Sequence, residues 1–438
     1  MKTKRTLTVT LAMLLFLSML SSSALAEGAP EAFTLNECIA VALKQSPLIK
    51  SAEFDIEAAR ASFHISKGAL FPRLDANAAY LKENQNIPYI PAQATNIPAK
   101  FSDEVYSWNL YLRVPVYEGG RLSRQVAVAE LEKAVQQARK EFTVQDLVAN
   151  LTNTFNKFLQ LKELKKAYEK SVEALERQRK NTELLVRSGR TAQVELLRVE
   201  VQLAGEQQNL IKTDEAIIRT KNTLAFLMGV QASDVRDITG TFAPVAEIKQ
   251  ADAYELMKSR PDILALSQRT EQAKRRIAIA AGKRYPAVAL IGNYGNRAGQ
   301  GLHDREEVWE AGVVATINLF DAGITSSEIR REESLYKKAA EELRLAELKG
   351  KLEVDNALSS LREAENRLSV AKKAVVQSEE SLRIEELKYK TGAGTITDAL
   401  LAQSAMSLAQ ANYYQALYDQ ASALTEYKRS TGSIGVTQ

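Results

Sequence analysis

Cysteine and histidine, two residue types that often carry catalysis, are scarce in this chain of 438 residues. Its only cysteine is Cys38, so no internal disulfide and no thiolate metal cluster can form. The two histidines, His64 and His303, lie far apart, which disfavours a His-rich metal site or a proton relay. The sequence contains no glycine-rich phosphate loop, no nucleophile–base arrangement and no paired carboxylates with a plausible pocket. We therefore expect no enzyme activity, no cofactor and no metal site.

Two acidic residues nevertheless occupy matching places. Glu195 and Asp398 each follow a glycine by six residues, Gly189 and Gly392 respectively. Near the start of a helix, each carboxylate would face the positive end of the helix dipole. The distance of 203 residues between the two acids recurs between other pairs of residues, which indicates that the elements carrying the acids are repeated.

An internal duplication accounts for this spacing. Landmarks at an offset of 214 are Pro47 and Pro261, Pro72 and Pro286, and Tyr80 and Tyr294. Landmarks at an offset of 203 are Val114 and Ile317, Gly120 and Gly323, Gly189 and Gly392, and Glu195 and Asp398. The first copy thus has 11 extra residues between Tyr80 and Val114, a proline-rich stretch that we expect to be a surface loop. We place the two structural repeats at residues 27–240 and 241–438.

Residues 1–26 are predicted to be a secretory signal peptide. A basic start precedes an apolar core too short to span a bilayer, and a small-x-small cleavage site ends at Ala26. Removal of three basic residues brings the 58 basic residues close to the 54 acidic ones, so nucleic acid is not expected as a partner. No stretch of the mature chain reaches 18 apolar residues, and the sequence therefore predicts no membrane-spanning helix.

Each repeat is predicted to open with two helices. A capping-box signature, Thr34 with Glu37 three residues on, predicts a short helix over residues 35–44. Its counterpart is expected near residues 251–258. A longer helix should follow the next proline in each copy, because proline is favourable in the first helical turn.

A very long helix then dominates each repeat. The stretches from Gly120 to Gly189 and from Gly323 to Gly392 each hold 68 residues and no proline between the glycines, enough for about 100 Å of helix. In the second stretch, an apolar seam with steps of three and four predicts side-by-side helix packing. The seam consists of Val354, Ala357, Leu361, Ala364, Leu368, Ala371, Val375, Ser378 and Leu382. Past each glycine turn we expect a returning helix, over residues 193–228 and 397–428.

Two strands are predicted before each long helix. Alternation of apolar with polar or small residues indicates strands over residues 108–116 and 309–319. Their hairpin partners are expected over residues 74–81 and 287–294, and each strand should have about 8 to 12 residues.

Four strands with one apolar face cannot close a barrel, and an open sheet would expose its edges. We therefore expect a barrel shared between identical chains with cyclic symmetry. Two chains would supply eight strands and a lumen plugged by side chains, whereas three would supply twelve and an open lumen, which weakly favours three.

Aromatic residues at the strand ends resemble the aromatic girdle of a membrane interface. They are Tyr80, Tyr106, Trp108, Tyr117, Tyr294 and Trp309. The alternative is ordinary packing in a soluble sheet.

Several segments recur in a recognisable order along the mature chain. They are residues 34–47 at the first helix, residues 71–72 before the first strand, residues 115–120, residues 389–400 and the late helix over residues 414–432. No single motif is specific. Their order, spacing and duplication together make the chain similar to the TolC-like outer membrane efflux protein family.

That resemblance implies a mainly α fold with a membrane β-barrel portion. Long antiparallel helical hairpins would form a periplasmic α-barrel, and four strands per chain would enter a shared 12-stranded barrel in a homotrimer. The implied function is a passive outer membrane channel of a tripartite efflux or type I secretion system in a Gram-negative-type cell, with a large periplasmic portion. The implied partners are a periplasmic membrane-fusion adaptor protein, an inner membrane transporter of RND or ABC type, and outer membrane lipid.

The glycine turns would be the periplasmic tips that dock the adaptor. Arg187, Gly189 and Arg190 lie on one tip, and Gly392 and Gly394 lie on the other. Glycine also ends helices by adopting a positive φ, so the turns have a purely structural explanation as well.

The resemblance also implies a gate, because such proteins often close this end with Tyr, Arg and Asp side chains. Tyr389 and Asp398 align with the Tyr and the first Asp, and Glu195 is the equivalent acid of the first repeat. Gly394 stands where an Arg can occur and Leu401 where a second Asp can occur, which disfavours a carboxylate-ring filter and leaves an apolar constriction as the substitute. We expect the two acids to help hold the tip shut; the alternative is that they only stabilise helix starts.

A second class of protein fits part of the pattern. A periplasmic coiled-coil adaptor or scaffold also combines long helical hairpins with β segments, but it would rarely repeat the whole pattern with strands before each hairpin. Fractionation with outer membranes or with the soluble periplasm distinguishes the two classes. The sequence does not identify the substrate among drugs, metal ions and polypeptides.

Overall fold

The structure, a computed structural model, describes residues 32–92, 98–242 and 250–435. The predicted signal peptide lies outside the described residues. Among the helices in these ranges, none combines the length and apolar character that crossing a membrane requires.

Similar elements follow one another in the same order in the two halves of the chain. The first half contains β1 (Ala32–Phe33), α1 (Leu35–Gln45), α2 (Pro47–Gly68), β2 (Arg73–Ile90), β3 (Lys100–Glu118), α3 (Arg121–Arg187), α4 (Gln193–Met228) and β4 (Asp237–Ile238). The second half contains α5 (Gln250–Lys258), α6 (Pro261–Ala281), β5 (Ala287–Ala298), β6 (Glu306–Thr316), α7 (Ile324–Lys390) and α8 (Ile396–Ser430). The predicted helices all form, and the two long ones have 67 residues each. The parallel pair of β1 with β4 was not predicted.

The predicted capping box at the start of α1 is present. The Thr34 N–H donates to the Glu37 carboxylate over 2.7 Å, and the Glu37 N–H donates to the Thr34 hydroxyl over 3.4 Å. This exchange satisfies two N–H groups that have no partner inside the helix. It fixes the start of α1, so that Cys38 next in the chain is fully buried.

The main core lies midway along the long helices. Around α3, α1 and the end of α4 bury a cluster that includes Leu151, Leu224 and Met228, each 0% exposed. Around α7, α5 and α6 bury a smaller cluster centred on Val354. Val354 stands at the offset of 203 from Leu151, so the two clusters occupy equivalent positions in the two repeats.

The predicted seam of α7 is confirmed. Its first four members, Val354, Ala357, Leu361 and Ala364, are buried, and its last five are half-buried. The helix packs on α6 in its first half and on α8 in its second half. Small residues at the seam allow these helices to approach closely.

The four longer strands form one antiparallel sheet in the order β2-β3-β5-β6. Residues on alternate positions share a face. One face carries an apolar row in which Leu110 lies opposite Tyr294 and Tyr294 lies opposite Trp309. The other face carries a polar row across the four strands, formed by Asp75, Tyr111, Asn293 and Glu310. The sheet therefore has one apolar and one polar side.

The expected surface loop between Tyr80 and Val114 is wrong in part. Most of the extra residues lengthen the first hairpin, so that β2 and β3 have 18 and 19 residues and exceed the predicted length. Pro88 lies within β2, opposite Phe101 and between two register shifts. β2 is the first strand of the sheet. Proline has no N–H group to donate, and it is tolerated in an edge strand, where that group can face away from the neighbouring strand.

The last strand of the second hairpin ends three residues earlier than predicted. β6 ends at Thr316, and Ile317 and Leu319, which the alternation placed in the strand, lie beyond it. β6 is the other edge of the sheet, and β5 begins at Ala287, opposite Thr316. Past that pair, these residues have no partner strand in the part of the chain that the structure describes.

A buried arginine ties three helices of the second half together. Arg260, at the start of α6, is 6% exposed and lies 2.8 Å from Asp262 and 2.6 Å from Glu353 of α7. It also donates to the Ser430 carbonyl at the end of α8 over 3.1 Å. Each carboxylate offsets part of the cost of burying the guanidinium.

We predict that Arg260→Met lowers the free energy of unfolding by about 2–3 kcal/mol, because it leaves two carboxylates and a carbonyl without their donor. Unfolding of the detergent-solubilised protein with guanidinium chloride, followed by circular dichroism, measures the change. The matched control is Arg275→Met, whose ion pair with Glu271 is exposed and should contribute less than about 0.5 kcal/mol. Equal losses in both variants would contradict the assigned role of Arg260.

Candidate functional site

Both helical hairpins turn on a glycine in the left-handed conformation. Gly189 has φ +69° and Gly392 has φ +77°. At the first turn, the N–H of Arg190 donates to the Leu185 carbonyl over 2.9 Å, and the second turn repeats this bond. This is the hydrogen-bond pattern of a Schellman motif, which closes a helix end with a positive φ. Apart from the neighbouring residues in the chain, no described residue lies within 4 Å of an added Cβ at either glycine, so the positive φ accounts for both glycines.

The residues around the second turn are arranged by the turn itself. The N–H of Gly394 donates to the Lys388 carbonyl over 3.1 Å, and a Cβ at Gly394 would lie 2.9 Å from the Lys388 Cβ. The backbone carbonyl of Tyr389 accepts from Gly392, and the Tyr389 side chain is half-buried. Leu401, one turn further along α8, is 65% exposed.

The first turn carries basic side chains at its exposed surface. Arg187 pairs with Glu183 of the same helix over 2.6 Å, while both arginines of the turn are exposed. Since exposed pairs within one helix add little stability, Arg187 and Arg190 are available to a partner surface.

Asp398 takes part in a capping box at the start of α8. Its carboxylate accepts from the Thr395 hydroxyl over 2.7 Å, and its own N–H donates back to that hydroxyl over 3.2 Å. This places Asp398 where a helix-start acid is expected. It does not contact Glu195 of the other hairpin in any bond between the described residues.

Glu195 lies beside an arginine that links the two hairpins. Arg198 of α4 approaches the Glu195 carboxylate to 3.3 Å and donates to the Thr397 hydroxyl of α8 over 2.6 Å. One turn further on, the Gln202 amide donates to the Ser404 hydroxyl over 2.8 Å. The other Glu195 oxygen is buried and has no hydrogen-bond partner among the described residues. The sequence analysis missed Arg198, although it stands at the offset of 203 from Leu401.

A buried polar junction lies further from the tips, where α3, α4 and α8 meet. The hydroxyls of Ser171 and Ser407 are 3.3 Å apart, and the Gln403 amide donates to Ser171 over 3.0 Å. Glu206 of α4 is 4% exposed and bonds to Ser407 and to Asn209. Its Oε2 atom has no partner in the described part of the chain. Burial, the largest effect, raises the pKa of Glu206 above its ordinary value.

The sequence does contain a signal for Glu206. The buried residues of α4 include Leu196, Val199, Leu203 and Glu206, whose steps of three and four are typical of a helix-packing seam. Its equivalent in the second half, Ala409, is also buried. An acid at a seam position interrupts the apolar pattern and could have been identified from spacing alone.

Five of the six aromatic residues predicted for a membrane interface, namely Tyr80, Tyr106, Trp108, Tyr294 and Trp309, lie on the apolar face of the sheet. The rings of Tyr80 and Tyr106 are 4.8 Å apart, and those of Trp108 and Tyr294 are 6.0 Å apart. Trp309 lies directly opposite Tyr294 and is 72% exposed. Tyr117, at the other end of β3, is nine residues from Trp108, a distance of about 30 Å along a strand.

A sheet with an exposed apolar face, joined to helical hairpins about 100 Å long, defines the fold class of outer membrane channels. The solved structure of VceC from Vibrio cholerae has this fold, with a TM-score of 0.79 at 20% identity over 91% of this chain and 96% of that one. The CmeC outer membrane channel of Campylobacter jejuni gives a TM-score of 0.80 at 16% identity, over 92% and 87% of the two chains.

The chain belongs to the outer membrane efflux protein family, which it matches over residues 38–230 and 253–433. Among relatives, it is 21% identical to outer membrane protein TolC of Vibrio cholerae over 95% of this chain and 93% of that protein. It is 22% identical to the pyoverdine export outer membrane protein OpmQ of Pseudomonas putida over 86% and 81%. Nodulation protein T of Rhizobium leguminosarum is 23% identical, and the match spans about half of each chain.

We predict that Glu206→Gln stabilises the protein in a pH-dependent way. Because the folded-state pKa lies above the ordinary value of 4.5, both states are protonated at low pH and the substitution should have no effect there. As pH rises through the folded-state pKa, the wild type must bury a charge that the glutamine does not carry. The variant should then gain about 1 kcal/mol.

Unfolding of the detergent-solubilised protein at about pH 4 and about pH 8 measures this difference. Glu215→Gln, at an exposed position of the same helix, is the matched control and should show the same stability as wild type at both pH values. A gain for Glu206→Gln that does not depend on pH would contradict the assignment.

Proposed function

We propose that the chain is the outer membrane channel component of a tripartite efflux or type I secretion system. It would act as a passive trimeric conduit from the periplasm to the exterior. The observation that carries the proposal is the four-stranded sheet, with one apolar face and two edges that no further strand of the described residues pairs, joined to two helical hairpins about 100 Å long.

The sheet has the surface chemistry of a membrane barrel wall. Leu74, Trp108 and Tyr294 on its apolar face are each about half exposed or more. In lipid this face would be favourable, and the aromatic residues would lie at the membrane interface. The opposite face, with its Asp75 and Glu310, would line an aqueous lumen.

A single chain cannot supply the whole wall. A membrane barrel must be closed, because backbone groups at an open edge find no hydrogen-bond partner in lipid. Three copies would give twelve strands, enough for a lumen. The helical hairpins would then surround a continuation of that lumen in the periplasm.

The alternative of a periplasmic adaptor or scaffold is less well supported. The family match extends over both halves of the chain, strands included. A soluble scaffold would also have to tolerate an apolar sheet face with Trp309 at 72% exposure.

The hairpin tips are proposed to dock a periplasmic membrane-fusion adaptor, which connects the channel to an inner membrane transporter of RND or ABC type. Arg187, Gly189 and Arg190 present a basic turn, and Gly392 and Gly394 present a turn of small residues. Both turns are exposed and rigidly closed by their Schellman bonds. The relatives named for pyoverdine and toluene export differ in substrate, so the fold alone does not select one.

The gate is proposed to lie at the same tips. The bond from Arg198 to Thr397 joins the two hairpins, and Glu195 holds the guanidinium in place from the same helix. Asp398 and Tyr389 support the turn of the second hairpin. Leu401, largely exposed in one chain, would add an apolar constriction where several copies meet.

The conduit is tested with the full-length protein. We expect the mature chain to fractionate with outer membranes, to require detergent for extraction, to migrate as a trimer in native mass measurements, and to form channels in planar bilayers. Recovery as a freely soluble monomer from the periplasm would overturn the proposal.

We predict that Arg198→Ala increases single-channel conductance in planar bilayers, because it removes the bond between hairpins. Arg177→Ala is the matched control and should leave conductance unchanged, since among the described residues Arg177 forms its ion pair with Glu173 of its own helix. A double variant, Glu195→Gln with Asp398→Asn, removes both charges while an amide oxygen can still cap α8. Unchanged conductance in that double variant would remove the two acids from the gate.

A further inference from the structure

A cleft of about 330 Å³ lies between α3, α4 and the side of α8. Its lining includes Lys157 of α3, Arg219 of α4 and Tyr418 of α8, and no residue of the hairpin tips or of the polar junction around Glu206 lines it. Lys157 is half-buried, whereas Arg219 is exposed. A cleft of this size accommodates a small molecule or one group of a larger molecule.

The ammonium group of Lys157 has no close counter-ion. Its Nζ atom lies over the Tyr418 ring, 4.9 Å from the centroid, and it forms no ion pair or hydrogen bond with a described residue. The ring attracts the positive charge but leaves the three N–H donors of the ammonium without an oxygen acceptor. Burial, the larger effect, lowers the pKa of Lys157, and the charge of Asp419 opposes this shift. An anion bound in the cleft would therefore stabilise the charged form of Lys157.

The acid that acts on Lys157 is already engaged by other side chains. Asp419 of α8 lies 3.1 Å from Arg367 of α7 and accepts a hydrogen bond from the Gln415 amide over 2.7 Å. Each of its carboxylate oxygens thus has a partner. Arg219, at the exposed side of the cleft, forms no ion pair within the described ranges either. Two cations therefore line one cleft, and neither is bound to a carboxylate of this part of the chain.

The second repeat shows that the helix packing does not require these cations. At the offset of 203, Lys157 corresponds to Ser360 and Arg219 corresponds to Ser422. The two serines lie in α7 and α8, which pack on each other as α3 and α4 do. The same arrangement of helices thus forms with a small neutral residue at both positions.

The cleft opens on the face of the helices that α1 leaves uncovered. Phe155 of α3 and Leu224 of α4 belong to the buried cluster shared with α1. At about 100° per residue, Lys157 lies about 200° around α3 from Phe155. In the same way, Arg219 lies about 140° around α4 from Leu224. In the proposed ring of helices, α1 would have to lie outside, because inside it would fill the bore. The cleft would then face the bore.

We propose that this cleft binds a carboxylate or phosphate group of molecules that pass through the bore. Lys157 and Arg219 would approach the anionic group from two different helices and form charge-assisted hydrogen bonds with it. Asn153 also lines the cleft, and its Oδ1 atom is buried without a hydrogen-bond partner among the described residues. A hydroxyl group on the same molecule would satisfy that oxygen. The proposal names anionic molecules as a substrate class, and it rests on the proposed conduit for the position of the cleft in the bore.

Affinity labelling with pyridoxal phosphate tests the cleft in the detergent-solubilised, full-length protein. The neutral Lys157 amine would attack the aldehyde carbon, water would leave, and borohydride would reduce the imine to a stable secondary amine. We expect peptide mass spectrometry to find Lys157 labelled several-fold more than Lys212, an exposed lysine of α4. Excess citrate should suppress this label, and Arg219→Gln should lower it about tenfold, since it removes a charged hydrogen-bond donor.

Pyridoxal, which lacks the phosphate, is the matched control reagent and should label Lys157 equally in the wild type and in Arg219→Gln. Equal labelling of Lys157 and Lys212 by pyridoxal phosphate would overturn the anion site. The same conclusion would follow from a Lys157 label that citrate or Arg219→Gln leaves unchanged.

Block of the channel in planar bilayers tests whether the cleft faces the bore. Citrate should lower the single-channel conductance of the wild type, and Lys157→Gln with Arg219→Gln should need about tenfold more citrate for the same block. The control Lys166→Gln with Arg177→Gln removes two charges of α3 that pair with acids of the same helix, and it should be blocked like the wild type. Equal block of all three proteins would overturn the proposal and leave the conduit standing. A protein that is labelled as expected but forms no channels would overturn the conduit and leave only the anion site.

Discussion

The structure depends on the hydrogen-bonding groups along the two outer strands of its sheet. β2 and β6 each present one edge of N–H and C=O groups that no other described strand pairs. In water such an edge invites aggregation, and in lipid each unpaired group costs several kcal/mol. In the proposed membrane barrel the apolar face would lie in lipid, and closure by further copies would follow from the backbone and not from any particular side chain.

The packing of the long helices changes between the sheet and the hairpin tips. Each long helix packs on the short helix that precedes its hairpin of strands and on the returning helix that follows it, and α3 also packs on α6 and α8 of the other half. The buried clusters around Leu151 and Val354 lie where these partners change. Small and polar residues such as Ser171 and Ser407 take over towards the tips. The tightest apolar packing thus lies midway, while the tips are held by few polar bonds.

The two halves differ at two positions that bear on the contacts between the hairpins. Arg198, which joins the hairpins, corresponds to the exposed Leu401. Glu206, a buried acid, corresponds to Ala409, a small buried residue. The turn glycines Gly189 and Gly392 are kept in both halves because each must adopt a positive φ. The turn glycines of the repeated scaffold are therefore kept in both halves, whereas residues at the contacts between the hairpins differ.

Much of the fold could be predicted because proline and glycine mark the helix boundaries. α4 spans the predicted residues, and α2 and α6 begin at the expected prolines. Strand ends were less predictable, since pairing depends on partners that are distant in sequence or on another chain. Pro88 suggested a loop but lies in an edge strand, and Leu319 has the right alternation but no partner. Of the candidate site, the turns and acids were predicted, whereas Arg198 was missed because one arginine in a charged helix carries no pattern.

The methyl group of Ala322 has a consequence for the symmetry of any assembly. Inside one molecule, Gly119 allows the backbone to touch Gly282, and an added carbon atom there would collide. In the proposed ring, Ala322, which stands at the offset of 203 from Gly119, would bring that carbon atom into the contact between copies, and this contact would have to be wider. A closed ring would alternate close joints with looser ones, and its true symmetry would be half of what the repeated fold suggests. An external force on the ring would then change mainly the wider contacts between copies, and each copy would move as a rigid body.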